Sequence, residues 1–541
     1  MATQYTFEQL EKLDSKELAL MVFSQQEQLQ RLNENMEKLI EQIRIADAYR
    51  FGRKTEKLDV MDGQLSIFNE PEAYSTDHPQ EPAVEEVVVV KRKKQPGKRE
   101  ADLAGFPVTE HEHLLSEEAL DAFFGKGNWR KMPSEEYRRL QYKPAEWCVE
   151  KHTVGVYVGT GGEHQDEFLR GDRPKDLLRN SFLTPSLAGA ILNGKYTNSL
   201  PLNRISREFD RNGLNISRQT MANWVISLSS KYFTPLWNRM KEHLLAMPVT
   251  QCDETPVQVL EEKTLKGTAK AKCYMWVHRS GEFYKDRPLV LYEYQRGRDH
   301  NHPKAFYQNY SGVLVTDSLQ QYHILDRELP NLRNANCWAH ARRDFADVCK
   351  GLGSNPAMRT STAHKALELI GAIFDEDGKL KKLSAEERLK ERQVRVKPLV
   401  EAFFAWARET LGNTVNPPKH KTAEGLQYCL NQEKYLKVFL DHGDVPMDNS
   451  ASERAIRTFC IGRNNWVLIN TVKGARASAV CYSLSETAKL NNLSVYSYFV
   501  YLLEEIPKLL DKGGGNIAPD LLDNLMPWSE NIQKNCPKRR L

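Results

Sequence analysis

The sequence predicts an α/β protein: a mixed-sheet core interrupted by a helical insertion, behind an N-terminal coiled coil and a helical region. Three observations carry this. Apolar residues repeat at 3-4 spacing near the N-terminus. After residue 247, segments rich in Val, Tyr and Trp follow one another with strand character. A long helix-compatible stretch then separates the last of these from a polar helix that carries further acidic and basic residues.

Residues 1–50 read as a coiled coil. Val22, Leu29, Leu32, Met36, Leu39, Ile43 and Ala46 keep the spacing, broken at Gln25, with Glu, Gln, Asn and Lys outside. A seam repeating every ~3.5 residues buries itself only against another helix. That implies a homo-oligomer, at least a dimer; the alternative is a helix packed on its own domain. Residues 51–100 read as a basic linker, because Pro, Gly and dense charge cannot build a core. Its run Lys91, Arg92, Lys93 and Lys94 either meets a DNA backbone or stays solvated.

Residues 101–180 contain β-like pieces such as EWCVEKHTVGVYVG and read as a small domain. Residues 181–245 read helical. Gly213 there supplies a turn, and Ser217 caps a helix carrying Arg218, Gln219, Thr220 and Asn223. Arg218 and Gln219 suit a helix-turn-helix reader in a major groove; the alternative, which fits slightly better, is an ordinary helical hairpin.

Residues 246–345 read as the first part of the core, with strands in VTQCDETPVQVL, KCYMWVHRSG and RPLVLYEYQ, a helix in HPKAFYQNY and a buried strand in GVLVTD. Residues 346–440 read as the helical insertion, where Ser384 and Glu387 have capping-box spacing. Residues 441–492 return to the core and bring Glu453 on a helix. Residues 493–541 read as an amphipathic helix and a basic tail.

Three carboxylates stand out. Asp253 lies in a strand, Asp317 ends a strand, where open α/β sheets place ligands, and Glu453 lies on the later helix. Acids at the edge of apolar strands are costly unless something positive sits there. Two divalent metals suit such a set, because oxygen-rich Mg²⁺ sites use few carboxylates and leave room for phosphate oxygens. The expected chemistry is metal-dependent phosphoryl transfer on nucleic acid. Singly, each acid has a structural alternative. Asp253 is followed by Glu254, which could face the site instead. Asp448 rivals Glu453, although its place before Asn449 and Ser450 suits a helix start. Glu453 could pair with Arg457 one turn on.

Basic and aromatic residues surround these acids. Arg454, Arg457 and Arg463 neighbour Glu453, with Trp466 following; Trp338, His340, Arg342 and Arg343 follow Asp317. Guanidinium groups grip phosphate and aromatic faces stack on bases, so these are candidate DNA contacts. Lys473 and Arg476 flank Gly474 in a candidate backbone-contact loop. Cys337 and His340 have zinc-like spacing, but no second pair accompanies them.

Net charge is only +4, so local charge must make the case for DNA. Nine scattered Cys without a CxxC argue for reduced thiols in a cytoplasm. The polar, acidic N-terminus resembles no signal peptide, and no apolar run approaches the ~18 residues of a membrane helix. No P-loop, dinucleotide fingerprint or nucleophile elbow occurs.

FGRKTEKL, QLSIF, CDETPVQV, VTDSLQQYH, CWAHARRDF, SAEERLKERQ, DNSASERAIR, GRNNW and SLSETAKLN together resemble the insertion-sequence-66 family of bacterial transposases, in that family's order over nearly the whole chain. The resemblance implies a ribonuclease-H-like fold whose Asp-Asp-Glu triad, both catalytic and metal-binding, falls on Asp253, Asp317 and Glu453. It implies a DNA transposase that cleaves element ends and joins them to target DNA by two-metal phosphoryl transfer. Expected with it are double-stranded DNA as partner, Mg²⁺ (Mn²⁺ substituting), accessory proteins of the same element, and a bacterial, nucleoid-associated cytoplasmic location. The family usually carries a Cys-rich zinc module before the helical region. Here residues 101–180 hold only Cys148, so no zinc is expected. Two other functions suit the same residues: a structure-specific nuclease that cuts without joining, and an oligomeric DNA-binding protein with a dead site. The presence of all three acids counts against the latter.

Overall fold

A computed structural model describes residues 14–51, scattered positions between 118 and 170, and 176–536 with gaps at 180, 264–271, 354, 356–357, 415–416, 419 and 513. The linker from 52 to 100, with Lys91 to Lys94, and most of 101–180 lie outside the described residues. The chain divides into two compact units, one of residues 1–75 and 176–539, the other of 76–175 and the last two residues.

In the first unit, α1 (Ser15–Phe51) runs for 37 residues. Leu29, Leu32 and Leu39 on it are 61, 65 and 57% exposed. Its C-terminal half rests on its own unit, where Ile45 meets Gly351 and Glu41 accepts from the Lys421 backbone N–H at 3.3 Å. The apolar stripe read from the sequence is therefore left open within one chain. In the second unit, β1 (Val156–Val158) pairs antiparallel with β2 (Phe168–Arg170).

Between residues 185 and 245 lie α2 (Pro185–Tyr196), α3 (Leu202–Arg211), α4 (Arg218–Leu228) and α5 (Thr234–Leu245). Gly213, between α3 and α4, takes φ +82°, which costs a glycine nothing. Ser217 caps α4 by accepting from the Thr220 N–H at 3.1 Å. Ile205 and Phe209 of α3 and Met221, Trp224, Val225 and Leu228 of α4 are buried, while Arg218 and Gln219 stay exposed.

The sheet comprises β3 (Val249–Val257), β4 (Cys273–Ser280), β5 (Val290–Arg296), then α6 (Asn301–Phe306), β6 (Gly312–Thr316), α7 (Gln320–Glu328) and β7 (Leu332–Asn336). Strand order is β5-β4-β3-β6-β7, with β3, β4 and β5 antiparallel and β6 and β7 parallel to β3 and to each other. β7 was not among the strands expected. LRNAN has an exposed Arg333 and two Asn; Leu332 and Ala335 reach the cores, and the two buried Asn are satisfied by side-chain bonding. Asn334 accepts from Thr316 Oγ1 at 2.9 Å and donates to Asn336 at 2.7 Å.

Side chains alternate between two cores, as pleating requires. On β6, Leu314 joins one and Val313 and Val315 the other. The second core is built with α8 (Trp338–Leu352), α9 (Thr362–Lys379), α10 (Ala385–Glu391), α11 (Lys397–Gly412) and α12 (His420–Asn431), the helical block that separates Asp317 from Glu453. Ser384 and Glu387 form the capping box. Buried Arg392 pairs with Asp377 at 2.7 Å and donates to the carbonyls of Phe439, His442 and Val445, tying the block to the chain ahead of Glu453. Then come α13 (Ser450–Trp466), α14 (Val472–Leu490) and α15 (Val495–Lys512). The edge strand β5 is covered by α14, whose Ser483 and Thr487 accept from the N–H groups of Tyr292 (2.7 Å) and Val290 (3.1 Å). This removes an edge that would otherwise invite pairing. The mixed α/β architecture is compatible with a ribonuclease-H-like core. Among the described residues no helix is long and apolar enough to cross a membrane.

Candidate active site

The parallel register pairs Gln251 with Val315. Continued two residues past that ladder, the register brings Asp253 and Asp317, just beyond the end of β6, to one side of the sheet, and the Asp317 charge acts on Asp253. Glu453 lies in the first turn of α13, which packs on β3 and β4. Glu254 points the other way. Its fully buried carboxylate is held by Arg298 Nε at 2.5 Å, by Gln321 Nε2 at 3.1 Å and by the Tyr322 hydroxyl. Strand alternation thus gives the two adjacent acids different partners, while the Glu254 charge is felt at both Asp253 and Asp317. Asp448 is occupied differently: its Oδ1 accepts from the Ser450 N–H at 2.9 Å at the start of α13.

Electrostatics mark the site. Burial pushes the Asp253 carboxyl well above its ordinary range, and the charges of Glu254, Asp317 and Glu453 push the same way. A backbone N–H from Glu254, 2.8 Å from Oδ1, opposes them. Asp317 rises to about 7, through burial and then the Glu254 charge, against the Leu319 N–H, Arg298 and Arg343. His340 Nε2 stands 3.8 Å from Glu453 Oε1 and accepts from Arg343 at 3.2 Å. Burial first, then the Arg343 charge, lowers His340 to about 4, so it is neutral at physiological pH.

Three like charges half-removed from water favour a cation among them. All three are hard oxygen donors, which suits Mg²⁺ or Mn²⁺. Among the described residues no three His, Cys, Asp or Glu side chains are drawn tightly enough to hold an ion. The donor set fits, and binding would require the carboxylates to close in.

The basic and aromatic candidates divide. Arg218, Gln219, Arg343, Arg454, Arg457, Lys473 and Arg476 are exposed, and Arg342 is half-buried. Trp338 must be withdrawn as a DNA contact. It is fully buried against Phe403, Phe404 and Phe439, and its Nε1 donates to the Leu436 carbonyl at 2.7 Å. Its place in the first turn of an amphipathic helix put it on the core side. Arg463 braces α13 against β3, with Nη1 donating to Thr255 Oγ1 at 2.9 Å and to the Pro256 carbonyl. Lys473 and Arg476 lie not in a loop but in the opening turns of α14, capped by Thr471. Trp466 is half-buried and packs edge-on against Phe459.

Sequence reasoning missed Arg298, which lies beside the acids, and Asn449, whose amide reaches Cys252. Nothing local announces either, since their partners are far away in the chain.

Residues 180–477, just over half the chain, match the family described as Transposase IS66 family. Residues 38–110 match a domain described as Transposase C of IS166 homeodomain. That second match takes in Lys91 to Lys94 and the end of α1, leaving α3 and α4 to the first. Three uncharacterized proteins of Sinorhizobium fredii are similar. The y4jD protein is 26% identical over 374 residues, 67% of this chain and 69% of that one. The y4hP protein is 27% identical over 344 residues, 60% of each chain. The y4qI protein is 26% identical over 374 residues, 68% of this chain and 66% of its own. With the family matched over more than half its length, the chain belongs to the IS66 family of transposases.

Proposed function

We propose that the protein cleaves DNA at the ends of its element and joins the freed ends to target DNA by phosphoryl transfer at Asp253, Asp317 and Glu453. The observation that carries this is the partial burial of Asp253 and Asp317 among like charges, with Glu453 brought near Asp253 on α13. A pair of Mg²⁺ ions, or Mn²⁺ in their place, would neutralise the attacking and leaving oxygens of the phosphodiester when bound there. The chain's own part is placement. The three carboxylates would hold the cations, and Arg298 and Arg343 supply positive charge beside Asp317. In the first step water attacks phosphorus and the bond to the 3′-oxygen breaks, leaving a 3′-hydroxyl. In the second that hydroxyl attacks a target phosphodiester, forming one bond and releasing one target 3′-hydroxyl. Little covalent chemistry falls to the protein.

Double-stranded DNA is the partner. The homeodomain-like segment at 38–110 and the exposed Arg218, Gln219, Arg454, Arg457, Lys473 and Arg476 are its proposed contacts. The open stripe on α1 is proposed to pair with a second copy, giving at least a dimer. The test separates binding from chemistry. Asp253→Asn, Asp317→Asn and Glu453→Gln should each bind element-end DNA as the parent does and fail to cut it. Weakened DNA binding in all three would make the acids structural and end the proposal.

A further inference from the structure

We propose that Asn449 is a positioning residue that sets the three carboxylates against one another; this rests on reading Asp253, Asp317 and Glu453 as one metal-holding site. Asn449 is fully buried. Its Nδ2 donates to the carbonyl of Cys252, the residue before Asp253, at 2.9 Å. A carbonyl can only accept, so this contact fixes which way the amide points. Its Oδ1 then accepts from the hydroxyl of Ser452, the residue before Glu453, at 2.8 Å, and from Gln251 Nε2 at 3.3 Å. The Asn449 backbone N–H donates to Cys337 Sγ at 3.1 Å. The Cys337 N–H in turn donates to the carbonyl of Thr316, the residue before Asp317, at 3.0 Å. The residues preceding all three acids are therefore tied to one side chain and its own backbone.

An ordinary helix cap is the plain alternative. A capping Asn accepts from a backbone N–H two or three residues on. Asn449 makes no such side-chain bond, although it stands at the cap position of α13. Its donor instead leaves the helix for a strand 197 residues earlier in the chain. Arg279 reinforces the seam, donating from Nη1 to the Ala451 carbonyl at 2.8 Å. A buried amide bonded on both sides fixes the separation of β3 and α13, hence that of Asp253 and Glu453. Such supporting bonds commonly change metal affinity or activity about 10–100-fold when removed.

The test uses the full chain with Asn449→Ala and Ser452→Ala. Mn²⁺ binding is read without DNA from the electron paramagnetic resonance signal of the free ion, beside DNA affinity, thermal midpoint and the metal dependence of cleavage. Asn449→Ala should weaken Mn²⁺ binding about 10-fold or more and move cleavage to correspondingly higher metal, with DNA affinity unchanged. Ser452→Ala removes one bond to the same amide and should move both in the same direction by less. A folded Asn449→Ala with parental Mn²⁺ affinity overturns the proposal. If that variant does not fold, Ser452→Ala decides, and parental Mn²⁺ affinity in it overturns the proposal equally. Failure of the underlying site reading looks different: the parent itself would bind no Mn²⁺, or Asp253→Asn would bind it as well as the parent.

Discussion

Removing one active-site charge should make the metal-free protein more stable. Asp317 is the residue to change, because its carboxyl is raised from 3.8 to about 7 by burial and by the Glu254 charge. The sign follows from proton release. Below 3.8 both folded and unfolded chains keep the proton. Between 3.8 and about 7 the unfolded chain loses it while the folded chain holds it, so stability falls as pH rises. Above about 7 the folded chain carries the full cost of the buried charge. A difference of about three pH units is worth about 4 kcal/mol, and at pH 5 only about 2 kcal/mol of it has developed. Asn in place of Asp keeps the shape and never ionises. Asp317→Asn should therefore be more stable than the parent in EDTA, by a margin that grows from pH 5 to pH 8. With about 440 residues in the unit, unfolding entropy makes 1 kcal/mol about 1.1 °C, so the gain at pH 8 is at most about 4 °C. Differential scanning fluorimetry at both pH values, without DNA, measures it. A variant no more stable than the parent at pH 8, or equally stabilised at both pH values, would refute the reasoning.

Other consequences are as direct. Mg²⁺ should stabilise the parent by about 2.7 kcal/mol at a hundredfold excess over its Kd, and Asp253→Asn should lose that gain in the same melting assay. Leu32→Glu with Leu39→Glu should turn the proposed dimer into a monomer by sedimentation without unfolding the chain, since both side chains face solvent in the single chain. Gly443→Ala should destabilise by about 2–4 kcal/mol in urea melts. A Cβ there would stand 1.8 Å from the Ala385 carbonyl, and the strain would reach the segment leading to Asn449.

What was legible in the sequence followed periodicity and local chemistry. Asp253 on a strand, Asp317 at a strand end and Glu453 on a helix could be read because flanking residues carry strand and helix patterns. Gly213, Ser217 and Ser384 announced a turn and two caps through their own backbone chemistry. β7 was invisible because only Leu332 and Ala335 give it apolar character, and its two buried Asn are satisfied by partners the local sequence does not announce. Trp338 was misread because an aromatic residue beside Arg342 and Arg343 reads alike on either face of a helix. Glu254 and Asn449 could not be resolved because their partners, Tyr322 and Cys252, are 68 and 197 residues away.

The most direct measurement incubates purified protein with labelled element-end DNA and a target plasmid, with Mg²⁺, Mn²⁺ or EDTA, beside Asp253→Asn. The account predicts nicked ends and joined products that need metal and vanish in the variant. Cleavage that persists in EDTA, or in Asp253→Asn, would contradict it.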